Sequence, residues 1–367
     1  MKFKVIREGI LKPLQQLAGL VERRQTKPIL ANILLVLDGN ALTLTGTDTE
    51  VELRARIQLG EEYPFGRATL PAKKLLDICK SLPEGAELLI EADDQKALLR
   101  SGRSKFSLVA LPPDDFPDLE DGQFEVQFSI QQRYLRELIE KTGFAMAQQD
   151  VRFYLNGMLL EVSENNLRAV ATDGHRLALG DRDILWQGAG IRQAVVPRKG
   201  ILEIPKLFGS DDGELLISLS GNHLRAETAD LRFTSKLLDA KYPEYGRVLP
   251  KPGERYIVAD RDALRQCLLR VGILSNEKFR GVRLTFQCGV LVARASNPEQ
   301  EEAEESVVVD YNGADTEIAF NIGYLLDVLG VVKSESVSIS LADANNTALI
   351  RETVDDKTLY VVMPMRI

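Results

Sequence analysis

Two stretches of this 367-residue chain hold residues of the type and spacing that chemistry requires. In Thr172-Asp-Gly-His-Arg-Leu177 an aspartate stands two residues from one of the two histidines, the other being His223. An Asp–His pair can orient an imidazole as a general base. Here the Asp-Gly step reads first as a turn, because both residues tolerate the backbone that a turn imposes. The second stretch, Asn297-Pro-Glu-Gln-Glu-Glu-Ala-Glu-Glu305, offers oxygen ligands of the kind Mg²⁺ or Ca²⁺ takes. It lacks the spaced ligands and turn glycine of a calcium loop. The sequence has no phosphate-cradling glycine loop, dinucleotide fingerprint, zincin helix or nucleophile elbow. No cofactor or metal is expected, and an enzyme is disfavoured. The alternative that remains is a metal-dependent nucleic-acid-processing enzyme centred on the acidic stretch.

The elements that must position these residues come in copies. Arg67-Ala-Thr-Leu-Pro-Ala-Lys-Lys-Leu-Leu-Asp-Ile78 returns roughly 125 residues later as Gln193-Ala-Val-Val-Pro-Arg-Lys-Gly-Ile-Leu-Glu-Ile204, then as Glu317-Ile-Ala-Phe-Asn-Ile-Gly-Tyr-Leu-Leu-Asp-Val328. Leu42-Thr-Leu-Thr-Gly-Thr-Asp48 returns as Leu167-Arg-Ala-Val-Ala-Thr-Asp173, and Phe116-Pro117 as Tyr242-Pro243. The interval exceeds the about 20–50 residues of solenoid repeats and suits one ordinary domain. Within the first copy, Phe3–Ile6 alternates as a strand. Ile10, Leu11, Leu14, Leu17, Ala18 and Val21 then form a helical stripe. Strands are predicted at Ile33–Leu37, Leu42–Thr45 and Val51–Ile57, with a hairpin turn at Asp38-Gly39-Asn40. On the last strand Glu52, Arg54 and Arg56 alternate with an apolar face. The order then recurs: a strand at Ala68–Leu70, a helix at Ala72–Leu82, and strands at Glu87–Ile90, Ala97–Arg100 and Lys105–Ala110. Each repeat is therefore two strand–helix–three-strand units, an α+β arrangement of sheets covered by helices. Turn-rich stretches at Leu119–Gln123 and Leu249–Gly253 divide the chain into 1–120, 124–249 and 253–367. Pro205 is expected to shorten or kink the helix Ile201–Phe208.

Composition, 44% hydrophobic and 27% charged, suits a globular protein. No signal peptide is recognisable, and no apolar run approaches the roughly 20 residues of a membrane span. Cys79, Cys267 and Cys288 share no ligand spacing and read as reduced core residues of a cytosolic protein. The net charge of −8 hides an asymmetry: the six helical segments together carry +8 and the remainder −16. Basic residues also suit any solvated helix face. The sharper reading is a helical surface facing a polyanion through phosphate contacts that carry no sequence preference. The hairpin Lys96–Leu108 is basic, whereas 297–305 is acidic. Such blocks are usually solvated loops. On the first and last of three similar domains they would also suit head-to-tail pairing, which closes into a ring when the rotation allows.

Long runs carry a family resemblance. They are Leu42–Asp48, Met146-Ala-Gln-Gln-Asp-Val-Arg-Phe-Tyr-Leu-Asn-Gly-Met158, Ala171–Leu177, Val196-Pro-Arg-Lys-Gly200, Asn297–Glu305 and Tyr360-Val-Val-Met-Pro-Met-Arg366. Over its whole length the chain resembles the bacterial DNA polymerase III β subunits, the sliding clamps. The resemblance implies three domains of the DNA-clamp fold, in a head-to-tail homodimeric ring around duplex DNA, with helices lining the hole and sheets forming the rim. It implies a cytoplasmic, non-catalytic tether for the replicative polymerase and other clamp-binding proteins, opened by a separate ATP-driven loader. DNA contact would fall to Arg24, Gln149, Arg152, Tyr154, Arg198 and Lys199, with Lys12 and Lys74 as further candidates. The partner pocket would use Leu155, Thr172, Gly174, His175, Arg176 and Leu177, then Pro243, Arg247 and Val248. Asn321 and Tyr324 would join it, with Val361, Val362, Met363, Pro364, Met365 and Arg366. The seam between copies would set Lys74, Ile78, Arg103, Lys105, Phe106 and Leu108 against Ile273, Leu274, Glu301 and Glu305. The loop Gly180–Arg192, with Trp186, follows no family run.

Overall fold

The computed structural model describes residues 1–21, 27–119, 122–209, 212–250, 256–341, 347–355 and 357–366. The expected alternation builds the sheets. Val51, Leu53, Ala55 and Ile57 are all buried on one face of the strand Val51–Pro71. Among the described residues six helices carry apolar stripes: α1 Arg7–Leu20, α2 Ala72–Ser81, α3 Gln132–Thr142, α4 Arg198–Leu207, α5 Arg261–Val271 and α6 Ile322–Val331. The α1 stripe buries Ile10, Leu14, Leu17 and Leu20. α1 packs on α2, and α5 packs on α6.

The chain divides into two compact units that cut across the sequence repeats. The first holds Met1–Arg133 with Lys206–Leu237. Its four-stranded sheet runs in the order Lys2–Ile6, Glu87–Ala92, Lys96–Ser101, Ser104–Val109. Its six-stranded sheet runs Asn32–Thr47, Val51–Pro71, Leu231–Lys236, His223–Glu227, Glu214–Leu219, Val126–Gln131. Strands of the first repeat thus pair with strands of the second, with Phe233 opposite Leu53. An antiparallel sheet leaves unpaired N–H and C=O groups along its edges, and the adjoining repeat satisfies them.

The second unit, Tyr134–Pro205 with Leu238–Ile367, repeats this solution. The second repeat's strand Arg176–Asp183 pairs with the C-terminal strand Thr358–Val362, placing Leu179 opposite Leu359. One 12-stranded sheet results. Leu159, Val170, Leu177, Leu179, Val195, Tyr242, Leu349 and Val361 form a buried cluster around that seam.

Several expectations are corrected. Asp38-Gly39-Asn40 is not a hairpin turn but a bulge inside the strand Asn32–Thr47, where the register shifts and Gly39 takes φ +60°. A glycine at positive φ serves a turn or a bulge equally well. The chain reverses instead at Asp48–Glu50, where Asp48 Oδ1 accepts from the amides of Glu50 (2.9 Å) and Val51 (2.8 Å). Glu52, placed on the polar face, is 2% exposed. It pairs with Arg54 at 2.6 Å and accepts from the Leu119 amide, while burial pushes its carboxyl pKa up. Cys288 is exposed rather than core. Pro205 does not shorten α4, which has 10 residues like α2 and α6. It stands near the C-terminal end, where its missing donor costs one intrahelical bond. Pro13 sits in the middle of α1, which continues through it to Leu20. Trp186 is 7% exposed, and its amide donates to the Glu164 carbonyl, which anchors the loop that follows no family run.

Phe233 is fully buried between Leu53 and Ala226 on the neighbouring strands. Phe233→Ala is expected to cost about 3–5 kcal/mol in urea unfolding. A loss below about 1 kcal/mol would show that this inter-repeat pairing is not part of the core.

Candidate functional site

The sequence Thr172–Leu177 folds as a hairpin turn between the strands Asn166–Thr172 and Arg176–Asp183. Gly174 takes φ +90°. The Thr172 hydroxyl donates to the Arg176 carbonyl at 2.6 Å and accepts from the Gly174 amide at 3.0 Å. Asp173 Oδ1 accepts from the amides of His175 (2.9 Å) and Arg176 (3.0 Å), and Oδ2 from Arg176 Nε at 3.1 Å. The carboxylate that might have oriented the histidine is thus engaged by backbone amides and an arginine. The His175 ring stacks on Tyr324, with centroids 6.4 Å apart and 18° between planes. The Asp–His pair is architecture, not a general-base arrangement.

Arg176 ties three segments together. Its guanidinium donates to the Phe144 carbonyl at 2.9 Å and pairs with Asp327 of α6. It lies 4.6 Å from the Tyr324 ring centroid and 5.2 Å from that of Phe144. Cation–π contacts of this kind are each worth about 0.5–2 kcal/mol. Asn321 caps α6, its side-chain oxygen accepting from the amides of Gly323 (2.8 Å) and Tyr324 (3.4 Å). This fixes Tyr324 in the first helical turn. The C-terminal segment closes the third side. Val361 and Val362 pair with Leu177 and Arg176, the Met363 amide donates to the His175 carbonyl at 2.9 Å, and the Met365 amide donates to the Ala319 carbonyl at 2.8 Å.

The expected pocket residues therefore divide by exposure. Leu155, Leu177, Val361 and Val362 are core. Thr172, Gly174, Arg176, Asn321, Tyr324, Met363, Pro364 and Met365 are half-buried, whereas His175, Pro243, Arg247, Val248 and Arg366 are exposed. Arg247 pairs with Glu244 at 2.5 Å. Sequence reasoning missed Asp173, Phe144, Asp327 and Tyr242, which hold the others from behind. For Tyr242 a signal existed, since Tyr242-Pro243 is a repeat marker. Burial pushes the hydroxyl pKa of both Tyr242 and Tyr324 upward.

Three of the candidate nucleic-acid residues, Gln149, Arg152 and Tyr154, lie on a segment that Arg152 bonds to this turn. Gln149 takes φ +55°. Arg152 grips Asp150 with Nε (3.0 Å) and Nη2 (2.8 Å), and Nη2 also donates to the Asp173 carbonyl at 3.1 Å. The arginine and backbone bonds lower the Asp150 carboxyl to about 2. The positive φ at Gly174 favours glycine, and a Cβ there would stand 2.9 Å from Arg152 Nη1 and push the guanidinium aside. Val151 is 95% exposed and Phe153 53%, with Phe153 edge-on to Tyr154. Arg198 donates to the Met146 carbonyl at 3.2 Å, and burial lowers its pKa. Lys199 is half-buried, and Lys12 and Lys74 are exposed. Arg24 lies outside the described residues.

The seam candidates sit on two sheet edges. In the first unit Ser104–Val109 ends its sheet and pairs only with Lys96–Ser101 among the described residues. Arg103 and Lys105 are exposed, Phe106 is half-buried, and Leu108 is buried, while Ile78 on α2 is half-buried. In the second unit Glu302–Asp310 pairs with Val290–Ser296, but meets Tyr256–Asp260 only at Val309 and Asp310. Residues 302–308 therefore keep one edge unpaired among the described residues. Ile273 nearby is 76% exposed and Leu274 half-buried. The acidic stretch is already engaged within the chain. Glu301 accepts from Asn297 Nδ2 at 2.6 Å, Glu304 pairs with Arg294, and Glu305 accepts from Arg270 Nε at 2.8 Å. Strand alternation turns these carboxylates to opposite faces, which is poor geometry for one shared cation.

Residues 1–120, 129–244 and 246–366 match the N-terminal, central and C-terminal domains of the DNA polymerase III beta subunit. The beta sliding clamp of Pseudomonas putida is 55% identical over 367 residues, covering all of both chains. That of Escherichia coli K12 is 48% identical over 367 residues, again covering all of both. A crystal structure of the DNA polymerase sliding clamp from Pseudomonas aeruginosa, with ligand, superposes with a TM-score of 0.98 at 53% identity, covering 100% of each chain. The Caulobacter crescentus beta sliding clamp gives 0.93 at 37% identity, covering 100% of this chain and 99% of that one. Three matched domains in family order, and identity of this level from end to end, lead to one conclusion: the chain belongs to the DNA polymerase III beta subunit family, the beta sliding clamps.

Proposed function

We propose that the chain works as a replication sliding clamp, two copies joining head to tail into a ring that encircles duplex DNA and tethers the replicative polymerase and other replication and repair proteins. The observation that carries this is the match of all three family domains along the chain. In this reading the domains run 1–120, 124–249 and 253–367. The protein acts in the cytoplasm, without catalysis of its own, and a separate ATP-driven loader opens it.

Retention by topology asks little of each contact. Phosphate contacts from Arg24, Gln149, Arg152, Tyr154, Arg198 and Lys199 are weak and blind to sequence, so the ring slides. Arg152 reaches a phosphate by exchanging one exposed anion for another, and exposed pairs are worth about 0–1 kcal/mol. The seam joins the edge at Ser104–Val109 to the open edge at 302–308 of a second copy. Phe106, Leu108, Ile273 and Leu274 bury the apolar area. Lys74, Arg103 and Lys105 meet Glu301 and Glu305, the second already held by Arg270, so charge sets register more than stability. The pocket around His175, Tyr324, Met363 and Met365 takes a partner peptide, and flexible thioethers let it repack for different ones.

Loaded protein should remain on circular duplex and be lost when the circle is linearised. Equal retention on both forms would contradict a topological mechanism. Ile273→Ala with Leu274→Ala should sediment as monomer, and an unchanged dimer would show that the seam lies elsewhere. Arg152→Ala should raise the Asp150 titration, followed by carboxyl NMR, from about 2 toward the ordinary carboxylate value. Because that folded-state pKa is lowered, the pair supports the loop above the ordinary value, and the support is lost as pH falls toward 2. An unmoved Asp150 would mean that the backbone amides alone hold it.

A further inference from the structure

A cleft of about 580 Å³ opens over the sheet formed by Gly281–Gln287, Val290–Ser296, Glu302–Asp310 and Thr316–Asn321. Its volume falls in the range of ligand sites, about 300–1,000 Å³. On its floor Arg283 and Arg294 stand directly opposite each other on adjacent strands. Like charges so placed destabilise a sheet. Each is offset on its outer side, Arg283 by Glu317 at 3.0 Å and Arg294 by Glu304. The charge order is therefore negative, positive, positive, negative, which leaves room for one more anion between the two guanidiniums.

Two large apolar side chains, Phe279 and Met365, stand among its polar lining. Phe279, 58% exposed, sits on a turn in which Asn276 Oδ1 accepts from the amides of Lys278 (3.0 Å) and Phe279 (2.9 Å). The turn is completed by Arg280 at φ +49°, whose amide donates to the Asn276 carbonyl at 2.7 Å. A non-glycine residue held there stores backbone strain, a cost that clusters at functional sites. The facing wall is Met365, followed by Arg366. Those two residues also end the segment that closes the partner pocket. Asn321 makes a second link: its Nδ2 donates to the Phe279 carbonyl at 3.3 Å, while its oxygen caps the helix that carries Tyr324.

We propose that this cleft is a second recognition site for the partner whose peptide occupies the His175–Tyr324 pocket. It receives the residues flanking that peptide, an apolar or aromatic side chain lying against Phe279 and Met365 and a carboxylate between Arg283 and Arg294. The proposal rests on the pocket reading above. A polypeptide fits better than a nucleic acid, because the lining has as many carboxylates (Glu302, Glu304, Glu317) as guanidiniums (Arg283, Arg294, Arg366) and gives a polyanion no net attraction.

The test uses the purified full-length protein, the purified replicative polymerase of the same cell, and a photo-crosslinking amino acid placed at position 279 or at position 324. Both positions should capture the polymerase, at stretches adjacent in its sequence. Phe279→Ser with Arg294→Ala should weaken polymerase binding about tenfold, with an unchanged thermal melt. Capture from position 324 but not 279, or at stretches far apart in the polymerase, overturns the proposal, as does unchanged affinity of the double variant. Capture of a duplex oligonucleotide from position 279 overturns the peptide assignment. No capture from position 324 identifies failure of the pocket reading itself, and with it the flanking-site claim.

Discussion

Every strand pairing among the described residues is antiparallel, and the rest of the structure follows from what happens to the sheet edges. A row of exposed N–H and C=O groups is an aggregation hazard unless paired, covered or charged. The chain pairs its internal edges across repeats: Val51–Ala55 with Leu231–Ser235, and Arg176–Gly180 with Thr358–Val362. Each junction buries aromatic or branched residues, so repeats alike in sequence become inseparable in packing. Among the sheet edges that stay open in the described residues are Ser104–Val109 and 302–308. They carry opposite charge, which in the proposed ring makes each the other's partner while discouraging either from pairing with itself.

The pocket depends on the second junction. Because the C-terminal strand pairs with Arg176–Asp183, the methionines beyond it are delivered to His175 and Tyr324. Arg176 holds that meeting point with one cation shared among two carboxylates, a carbonyl and two rings. Removing such a group would strand its partners, which is why half-buried networks fix geometry more than they add stability. The same frame reaches the nucleic-acid loop through the bond from Arg152 to the Asp173 carbonyl. One side-chain-to-backbone hydrogen bond therefore joins Arg152, expected to touch DNA, to the turn that carries His175 of the expected partner pocket.

Much of this was legible because strands and helices print their periods in the sequence. The alternation Val51 to Ile57 and the α1 stripe are visible without any partner. The corrections fall where a residue's role depends on distant chain. Glu52 is buried because Leu119 and Arg54 come to it. Gly39 makes a bulge because the strand it interrupts has a long partner extending to Pro71. Asp173 and Asp327 look like surface carboxylates until Arg176 lies between them. The site residues came from the family resemblance, and local periodicity could not have singled out Tyr324 or Met365.

The central claim is that the edges Ser104–Val109 and 302–308 pair with each other between copies, and amide hydrogen exchange reads those edges directly. In concentrated protein the outward-facing amides of Ser104–Val109 and 302–308 should be protected, and dilution to monomer should expose both segments together. Rapid exchange of both in the concentrated protein, or protection of one that survives dilution, would contradict the account.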